Sequence, residues 1–458
     1  MISKFVNREE EISLLDEEWR KKGGKLVVLY GRRRIGKTRL LIEFTKDKKG
    51  IFYIAEDSST QLQINGLKDK IADFLNDSLL KTLEIREWTQ LFEYLVKNMP
   101  SERFYFIIDE FSYLIKSDKK VLSVLQKIWD TQLSNSPPFI VLSGSMLGLM
   151  SDMVLAYASP LYGRRTRDIL LEGLHFKYAR RFVTWSFSEA LMLYFITGGV
   201  PEYLLKAAEY DGLNKFLDRE FFNKMGYFYR EPYFIISQEF KELKSYFSIL
   251  NAIAFGETKP TEIANFTGID TKKIYPYLEN LIRLGFIERH TSIFGSQKKG
   301  IYLIKDSIFD FWFNFVFKYR DEIERGNFSL KNGEILRYCG KKFENFVRNE
   351  MLHYLFNCSK AGRWWYRDKE IDIVAVNDSD KEIAFFECKW KKLKRNEVKK
   401  IIKEMSKKAE LVRWNNDERK ERFGVIAMEI EDKEGLRDAG FLVFDIGDLE
   451  RMLDNTKR

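Results

Sequence analysis

Cysteine is scarce in this chain: three among 458 residues, Cys339, Cys358 and Cys388, odd in number and irregular in spacing. That argues against a disulfide framework, and the three histidines (His175, His290, His353) do not cluster with them as a zinc site would require. Long apolar runs are missing too. The longest, around residues 139–150 and 308–317, are broken by polar side chains and fall short of the roughly 18 residues that span a bilayer. The first eleven residues are charged almost at once and lack the apolar stretch and small-residue cleavage site of a secretion signal. A soluble cytoplasmic protein with no membrane partner is expected.

What the chain does have is size and positive charge. Its length suggests about three domains at roughly 150 residues each. The formal charge of +9 favours a polyanionic partner, although bulk charge is a weak pointer.

The sharpest local signal lies near the start. A strand-like run, Leu26-Val27-Val28-Leu29-Tyr30, feeds into Gly31-Arg32-Arg33-Arg34-Ile35-Gly36-Lys37-Thr38-Arg39. Two glycines let the backbone curl so that its N–H groups face phosphates, and a helix opening at Lys37 adds the positive end of its dipole. Residues 31–39 therefore form the expected nucleotide-binding loop, with Lys37 reaching the β and γ phosphates and the Thr38 hydroxyl holding magnesium. The expected cofactors are ATP and Mg.

Strand-like runs recur at 25–30, 50–55, 103–109, 139–143 and 168–174, separated by helical periodicity such as residues 114–133. That alternation implies a parallel sheet with helices on both faces. The run 103–109 ends in Asp109-Glu110, at the carboxyl edge where such sheets bind ligands. Asp109 is expected to hold magnesium through water, and Glu110 to orient or deprotonate the attacking water; an acidic helix cap is the structural alternative. Ser143-Gly144-Ser145 ends the next run where a γ-phosphate-sensing hydroxyl would sit, or is simply a turn. The basic cluster Arg164-Arg165-Thr166-Arg167 is expected close to that edge, as a source of transition-state charge, as a solvated loop or as a nucleic-acid contact.

Phe5-Val6-Asn7-Arg8-Glu9-Glu10, the glycine loop, Ile107-Ile108-Asp109-Glu110 and Thr197-Gly198-Gly199-Val200-Pro201-Glu202-Tyr203 together resemble the archaeal ATPase family, P-loop proteins related to the AAA+ and STAND ATPases. The resemblance covers about the first half of the chain. It implies that Arg8 and Pro201 flank the adenine.

Beyond it, an amphipathic stretch at 240–255 precedes a short helix that Thr261 is expected to cap and Gly268 to close. A second helix at 271–284 follows, then two strands, 286–290 and 299–304, around a Gly-Ser-Gln-Lys-Lys tip. Helix, turn, helix and a basic hairpin are the layout of a winged helix. On DNA it would present Lys272, Lys273 and Tyr275 to the groove and Lys298 and Lys299 to phosphate, with Glu279 offsetting some of the charge; a lid or protein contact is the alternative. The aromatic run 309–319 has helical spacing and reads as core rather than as a base-stacking surface.

In the last third, Glu344 lies in an amphipathic helix, Asp372 in Ile371-Asp372-Ile373-Val374, and Glu387 and Lys389 in Phe386-Glu387-Cys388-Lys389-Trp390. Strand alternation puts Glu387 and Lys389 on one face and Cys388 on the other. A turn at 377–380 makes the two runs a hairpin that brings Asp372 towards Glu387. Two carboxylates, Asp372 and Glu387, with a strand carbonyl would hold a hard divalent cation, and Lys389 would position the attacking water. This pattern resembles the PD-(D/E)xK nuclease superfamily, with Ile371 where that family has proline, and the domain often fused behind archaeal ATPases. The basic stretch 391–408 is a helix that would track a nucleic-acid backbone or simply be solvated.

The combined expectation is an α/β protein in three parts: a P-loop ATPase domain with helical lid (1–235), a winged helix-turn-helix (236–330) and a small restriction-endonuclease-like α/β domain (331–458). It would bind and hydrolyse ATP and couple nucleotide state to nucleic-acid binding, DNA sooner than RNA, and to phosphodiester cleavage. A homo-oligomer is compatible with this. The alternative is a nucleotide-regulated interaction switch whose C-terminal domain cuts nothing.

Overall fold

The computed structural model describes residues 5–455 apart from Gln297. Gln297, in the expected hairpin tip, and the first four residues of the expected signal-free N-terminus lie outside the described residues. The chain forms two compact units, Met1–Leu174 with Val200–Tyr203, and His175–Gly199 with Leu204–Arg458.

The first unit is built on a five-stranded sheet of β1 (Lys25–Tyr30), β2 (Gly50–Ile54), β3 (Tyr105–Asp109), β4 (Phe139–Gly144) and β5 (Arg167–Leu170). The order is β2-β3-β4-β1-β5 and every pairing is parallel. Such a sheet is covered on both faces, which is why its central strands are unbroken apolar runs rather than alternating ones. Leu26 to Leu29 in β1 and all of β4 are buried accordingly. Helices Thr60–Leu75, Trp88–Asn98 and Lys120–Ile128 pack Ile64, Leu91, Phe92 and Leu125 into one core with Val28, Ile108 and Leu142.

Two elements differ from the sequence reading. The helix expected over 114–133 is divided into Ser112–Ser117, Lys120–Ile128 and a π turn at Trp129–Leu133. Asp118 breaks it: its backbone is extended and its carboxylate accepts the Lys120 N–H at 3.0 Å, a local bond that competes with the helix. The strand expected at 168–174 ends at Leu170.

In the second unit, helices Leu243–Ala254, Pro260–Thr267 and Ile274–Arg283 precede an antiparallel pair, β6 (Ile287–Thr291) and β7 (Gly300–Ile304). Thr261 is not the cap of the middle helix. Pro260 occupies its first turn, and the Glu262 carboxylate reaches back to the N–H groups of Lys259 at 3.0 Å and Thr258 at 3.3 Å. Proline, with no N–H to satisfy, suits that first position, so the cap is Lys259 and the helix starts two residues earlier than a Thr261 cap would give. Lys272 and Lys273 precede the helix Ile274–Arg283. Phe309, Phe311, Trp312, Phe313 and Phe315 are buried, as core aromatics.

The rest of the second unit carries a mixed sheet: β8 (Lys360–Tyr366), β9 (Lys369–Asn377), β10 (Glu382–Leu393), β11 (Lys420–Ile430) and β12 (Leu442–Asp445), in the order β12-β11-β10-β9-β8. Strands β8, β9 and β10 form an antiparallel meander, while β10, β11 and β12 are parallel. Helix Arg395–Ala409 carries the crossover from β10 to β11 and buries Val398, Ile402 and Met405 against the sheet. The connection from β6 to β7 turns inward at its start, and Ile293 enters this core with Trp364 and Ile371.

Candidate functional site

Strand β1 delivers the glycine loop at the carboxyl edge of the parallel sheet, where Tyr30 pairs with Gly144 of β4 and Leu170 of β5. Its two glycines are needed for different reasons. A Cβ on Gly31 would lie 2.4 Å from the Leu171 carbonyl oxygen, so a backbone approaches too closely for any side chain. Gly36 has open space around it, but φ is +94°, a left-handed conformation that L side chains resist. Helix Lys37–Thr45 starts immediately after Gly36, and its first turn contains no acidic residue to repel an anion. The Lys37 ammonium donates to the carbonyls of Gly31 at 3.0 Å and Arg32 at 3.2 Å, lying over the loop. Ile35 is buried beneath it, and Arg39 faces solvent on the helix.

Beside this loop, β3 ends in Asp109, fully buried, and Glu110, which takes a left-handed backbone at φ +52°. The Thr38 hydroxyl donates to Asp109 Oδ2 at 2.5 Å, and the Glu110 N–H donates to Asp109 Oδ1 at 3.0 Å. One hydroxyl and one carboxylate thus converge as hard oxygen donors, a set that fits magnesium. Ser145, just past β4, holds Glu110: its hydroxyl donates to Glu110 Oε2 at 2.5 Å and its N–H at 3.3 Å. The buried Ser143 hydroxyl has no hydrogen-bond partner among the described residues.

Arg8 is buried and grips the loop from outside. It pairs with Glu11 at 2.8 Å and donates to the carbonyls of Glu172 at 2.5 Å and Ile35 at 3.4 Å. Asn7 and Arg8 both adopt positive φ, +60° and +81°, a twist that turns the guanidinium towards the loop at the start of helix Glu9–Arg20. Arg33 donates to the Tyr113 hydroxyl at 2.9 Å, and Arg34 forms an ion pair with Glu202. Pro201 opens helix Pro201–Ala207, which carries that glutamate. The partnership of Arg34 with Glu202, 168 residues on, was not read from the sequence; its one signal was the place of Glu202 beside Pro201.

The basic cluster 164–167 does not lie near the loop. The Thr166 N–H donates to the Leu26 carbonyl and Arg167 pairs with Val27, so the cluster enters β5 at the amino-terminal end of the parallel sheet, opposite Gly31. Its arginines are engaged there: Arg164 with Asp130 at 2.8 Å, Arg165 with Asp168 at 2.7 Å and Arg167 with Glu18 at 3.1 Å. None of them reaches the nucleotide edge of its own chain. Sequence alone does not show which end of β5 these arginines enter, because the apolar run of that strand begins only after them.

The second constellation lies in the other unit. Residue Phe386 of β10 pairs with Ile373 of β9, so Glu387 and Asp372 follow side by side at the end of that ladder. Asp372 is buried and its Oδ2 accepts the Cys388 N–H at 2.8 Å. The Lys389 ammonium lies 3.1 Å from Glu387 Oε1 and 3.7 Å from Asp372 Oδ2. Lys408, on the crossover helix, adds a second ammonium 3.7 Å from Glu387 Oε1, which the sequence had left on a solvated or backbone-tracking helix. Glu387 Oε2 is buried without a hydrogen-bond partner among the described residues, an orphaned acceptor of the kind a cation would satisfy. Among the described residues no three His, Cys, Asp or Glu side chains form a metal-type group, so the oxygen donors on offer are those of the Asp372–Glu387 pair.

Burial shapes the charges here. Burial first, and then the charge of Asp372, push the Glu344 carboxyl up to about 8. Burial and the charge of Glu387 likewise raise Asp372. Burial opposes the Lys389 ammonium, yet Asp372 and Glu387 hold it above its ordinary range. Each shift follows from like charges crowding out of water and from one opposite charge between them.

Comparisons with known proteins fit the two halves differently. Residues 5–207 match the family described as an ATPase domain predominantly from Archaea, and residues 312–401 match a family of archaeal and bacterial proteins of unknown function. The uncharacterized protein MJECL04 of Methanocaldococcus jannaschii is 35% identical over 457 residues, covering 97% of this chain and 99% of that protein. The uncharacterized protein MJ0424 of the same organism is 32% identical over 92 residues, 20% of this chain and 87% of its own length. Among solved structures, the Walker-type ATPase PABY2304 of Pyrococcus abyssi superposes with a TM-score of 0.53 at 23% identity, covering 68% of this chain and 96% of that one, a likeness of fold. With relatedness along nearly the whole of MJECL04, the chain belongs to the same family as that protein, and its residues 5–207 form an archaeal-type ATPase domain on a P-loop sheet.

Proposed function

We propose that this protein binds and hydrolyses ATP at the glycine loop and couples its nucleotide state to nucleic-acid binding and metal-dependent phosphodiester cleavage by its C-terminal part. The contact that carries the ATPase reading is the 2.5 Å bond from Thr38 to Asp109. It brings a P-loop hydroxyl onto the carboxylate that ends the neighbouring strand. Magnesium, when bound through these oxygens, would neutralise phosphate charge. The backbone N–H groups of residues 31–38 orient the phosphates, and Lys37 exchanges its carbonyl partners for them. Glu110, held by Ser145, accepts a proton from the attacking water. Arg8 and Pro201 border the adenine.

For the C-terminal part, the orphaned Glu387 Oε2 supports a PD-(D/E)xK-like site. Asp372 and Glu387 would hold the divalent cation, Lys389 would position the water, and Glu344 would serve beside that pair as a further catalytic carboxylate, not as a metal ligand. Helices 243–254, 260–267 and 274–283 with β6 and β7 read as a winged helix-turn-helix. Exposed Lys272, Lys273, Tyr275, Lys298 and Lys299 are its candidate DNA contacts. On this reading the domains divide at about 235 and 330. Coupling would run through residues 199–204, where the chain passes between the two units.

The ion pairs of Glu387 with both Lys389 and Lys408 favour one other reading, in which these ammoniums replace the metal and the C-terminal part only binds a partner. One experiment separates the two. Purified protein is assayed for cleavage of single- and double-stranded DNA and RNA with magnesium or manganese, beside Glu387→Ala, with no nucleotide, ADP or a nonhydrolysable ATP analogue. Metal-dependent cleavage lost in the variant supports the nuclease reading; no cleavage in any arm supports the binding switch. Equal activity in all nucleotide states overturns the coupling.

A further inference from the structure

A cavity of about 440 Å³ opens in the second unit, with Glu344 in its wall. Its walls come from the end of helix Leu243–Ala254, from β7, from the 307–318 segment, from helix Asn332–Phe346 and from β8 and β9. Glu344 lines this wall, and its neighbour Phe343 packs on Trp390 of β10 with ring centroids 5.2 Å apart, so the helix sets the cavity against the strand that carries Glu387. The cavity therefore opens beside the candidate reaction centre.

Among the described residues its charges sort into paired and unpaired. Lys342 pairs with Asp310 at 2.6 Å, Lys318 with Glu334 at 3.0 Å and Arg363 with Glu370 at 2.6 Å, so these six largely cancel. Arg337 and Lys341 remain, both exposed, at successive turns of the helix that presents Glu344 one turn further on. Residues 337, 341 and 344 share one face, because steps of four and three keep the same side of an α-helix. Two uncommitted cations in file thus point the way to a recessed carboxylate. That is an anionic chain's path and not a small neutral ligand's.

The size of the space selects the form of the chain. A cavity of this volume falls in the range of small-molecule sites, about 300–1,000 Å³. It has room for a nucleotide or two, whereas the major groove of a duplex alone is about 12 Å wide. Asp372 is 4% exposed, so an intact double helix lying on the surface would not bring its backbone to it. A single strand, or a strand end splayed from its partner, can thread inwards.

Resting on the cleavage reading for the Asp372–Glu387 site, we infer that this cavity is the entry path for a single-stranded polynucleotide, gripped through its phosphates by Arg337 and Lys341. Recognition of this kind is independent of sequence, because phosphate contacts carry no base information.

The test uses the full chain and fluorescence anisotropy in EDTA, so that binding is read without cleavage. The probes are labelled single-stranded DNA, single-stranded RNA of the same sequence, and a duplex closed by hairpins at both ends. Tight binding of either single strand, at least tenfold weaker in Arg337→Glu/Lys341→Glu, is the expected result. The salt slope of log affinity should also flatten by about 1.4, at ~0.7 per single-strand phosphate contact. Circular dichroism and ATP turnover of the double variant report that it is folded. Unchanged affinity in that variant, a closed duplex that binds as tightly as the single strands, or no binding of any probe overturns the inference. Wild-type protein that binds single strands through Arg337 and Lys341 but cuts none with magnesium or manganese would remove the cleavage reading alone. The cavity would then be a binding path without a reaction.

Discussion

Ser292 and Trp365 exchange hydrogen bonds across the second unit: the Ser292 hydroxyl donates to the Trp365 carbonyl at 3.1 Å and accepts the Trp365 N–H at 2.9 Å. The neighbouring Ile293 N–H donates to the Arg363 carbonyl at 2.9 Å, so residues 292–293 cover the free edge of β8. Uncovered edges invite pairing with other chains. The β6–β7 connection is therefore a structural clasp on the C-terminal sheet as well as the bearer of two exposed lysines at 298 and 299.

Ser292→Ala should lower the stability of the second unit by about 1–2 kcal/mol, since it leaves the part-buried N–H and carbonyl of Trp365 without their partner. Urea unfolding followed by tryptophan fluorescence measures it. A fragment beginning at residue 331 lacks this edge cover, and should aggregate at concentrations where the full chain stays monodisperse by light scattering.

Glu110→Gln should cut ATP turnover by about 10²–10⁴-fold while leaving nucleotide affinity near that of the unchanged chain, as loss of a general base does. Ser145→Ala releases the same carboxylate without removing it, and should give a smaller fall in kcat at unchanged Kd. Phosphate release paired with calorimetric titration of the nucleotide reads both. Equal turnover in Glu110→Gln would assign the base elsewhere.

Arg8→Lys should weaken ADP binding at least tenfold. A lysine keeps the charge but not the planar fork that reaches Glu11 and the carbonyls of Ile35 and Glu172 together. Titration of ADP into both proteins checks it, and an unchanged Kd would make Arg8 a purely structural clamp.

Glu344 sets a pH dependence whose sign is fixed by burial. Its folded value of about 8 lies above an ordinary glutamate's 4.3 or so, and between those limits the folded chain holds more protons than the unfolded one. Stability therefore falls as pH rises through that window. Glu344→Gln removes the penalty, so in EDTA its second unit should gain roughly 1–3 kcal/mol over the unchanged chain at pH 8 and little at pH 4. Thermal melts at the two values measure the difference, and an equal shift at both would place the effect in packing instead.

The first unit was legible because its information is local. Runs such as 26–29 and 139–142 are apolar on both faces, and the loop that follows β1 has a spacing that few other structures need. Pairings distant in sequence were not legible. Arg34 with Glu202, Arg164 with Asp130 and Ser292 with Trp365 each join residues tens of positions apart through unremarkable residue types. Short-range competition also misled: Asp118 divided a helix whose apolar period ran straight through it, and Pro260 displaced the expected cap at Thr261. In the C-terminal part, alternation put Glu387 and Lys389 on one face, but nothing in the spacing of 391–408 pointed Lys408 at the same carboxylate.

The two loop glycines also differ in a way that concerns handedness. At position 31 the obstacle to an L side chain is an oxygen of the backbone, and no substitution at residue 171 removes a carbonyl. At position 36 there is room, and only the sign of φ stands against a side chain. A D-alanine introduced there by chemical ligation meets its own preferred backbone and should keep the loop intact where L-alanine strains it. The loop thus carries one position closed to an L side chain by a neighbouring carbonyl and another closed to it by the handedness of its own backbone.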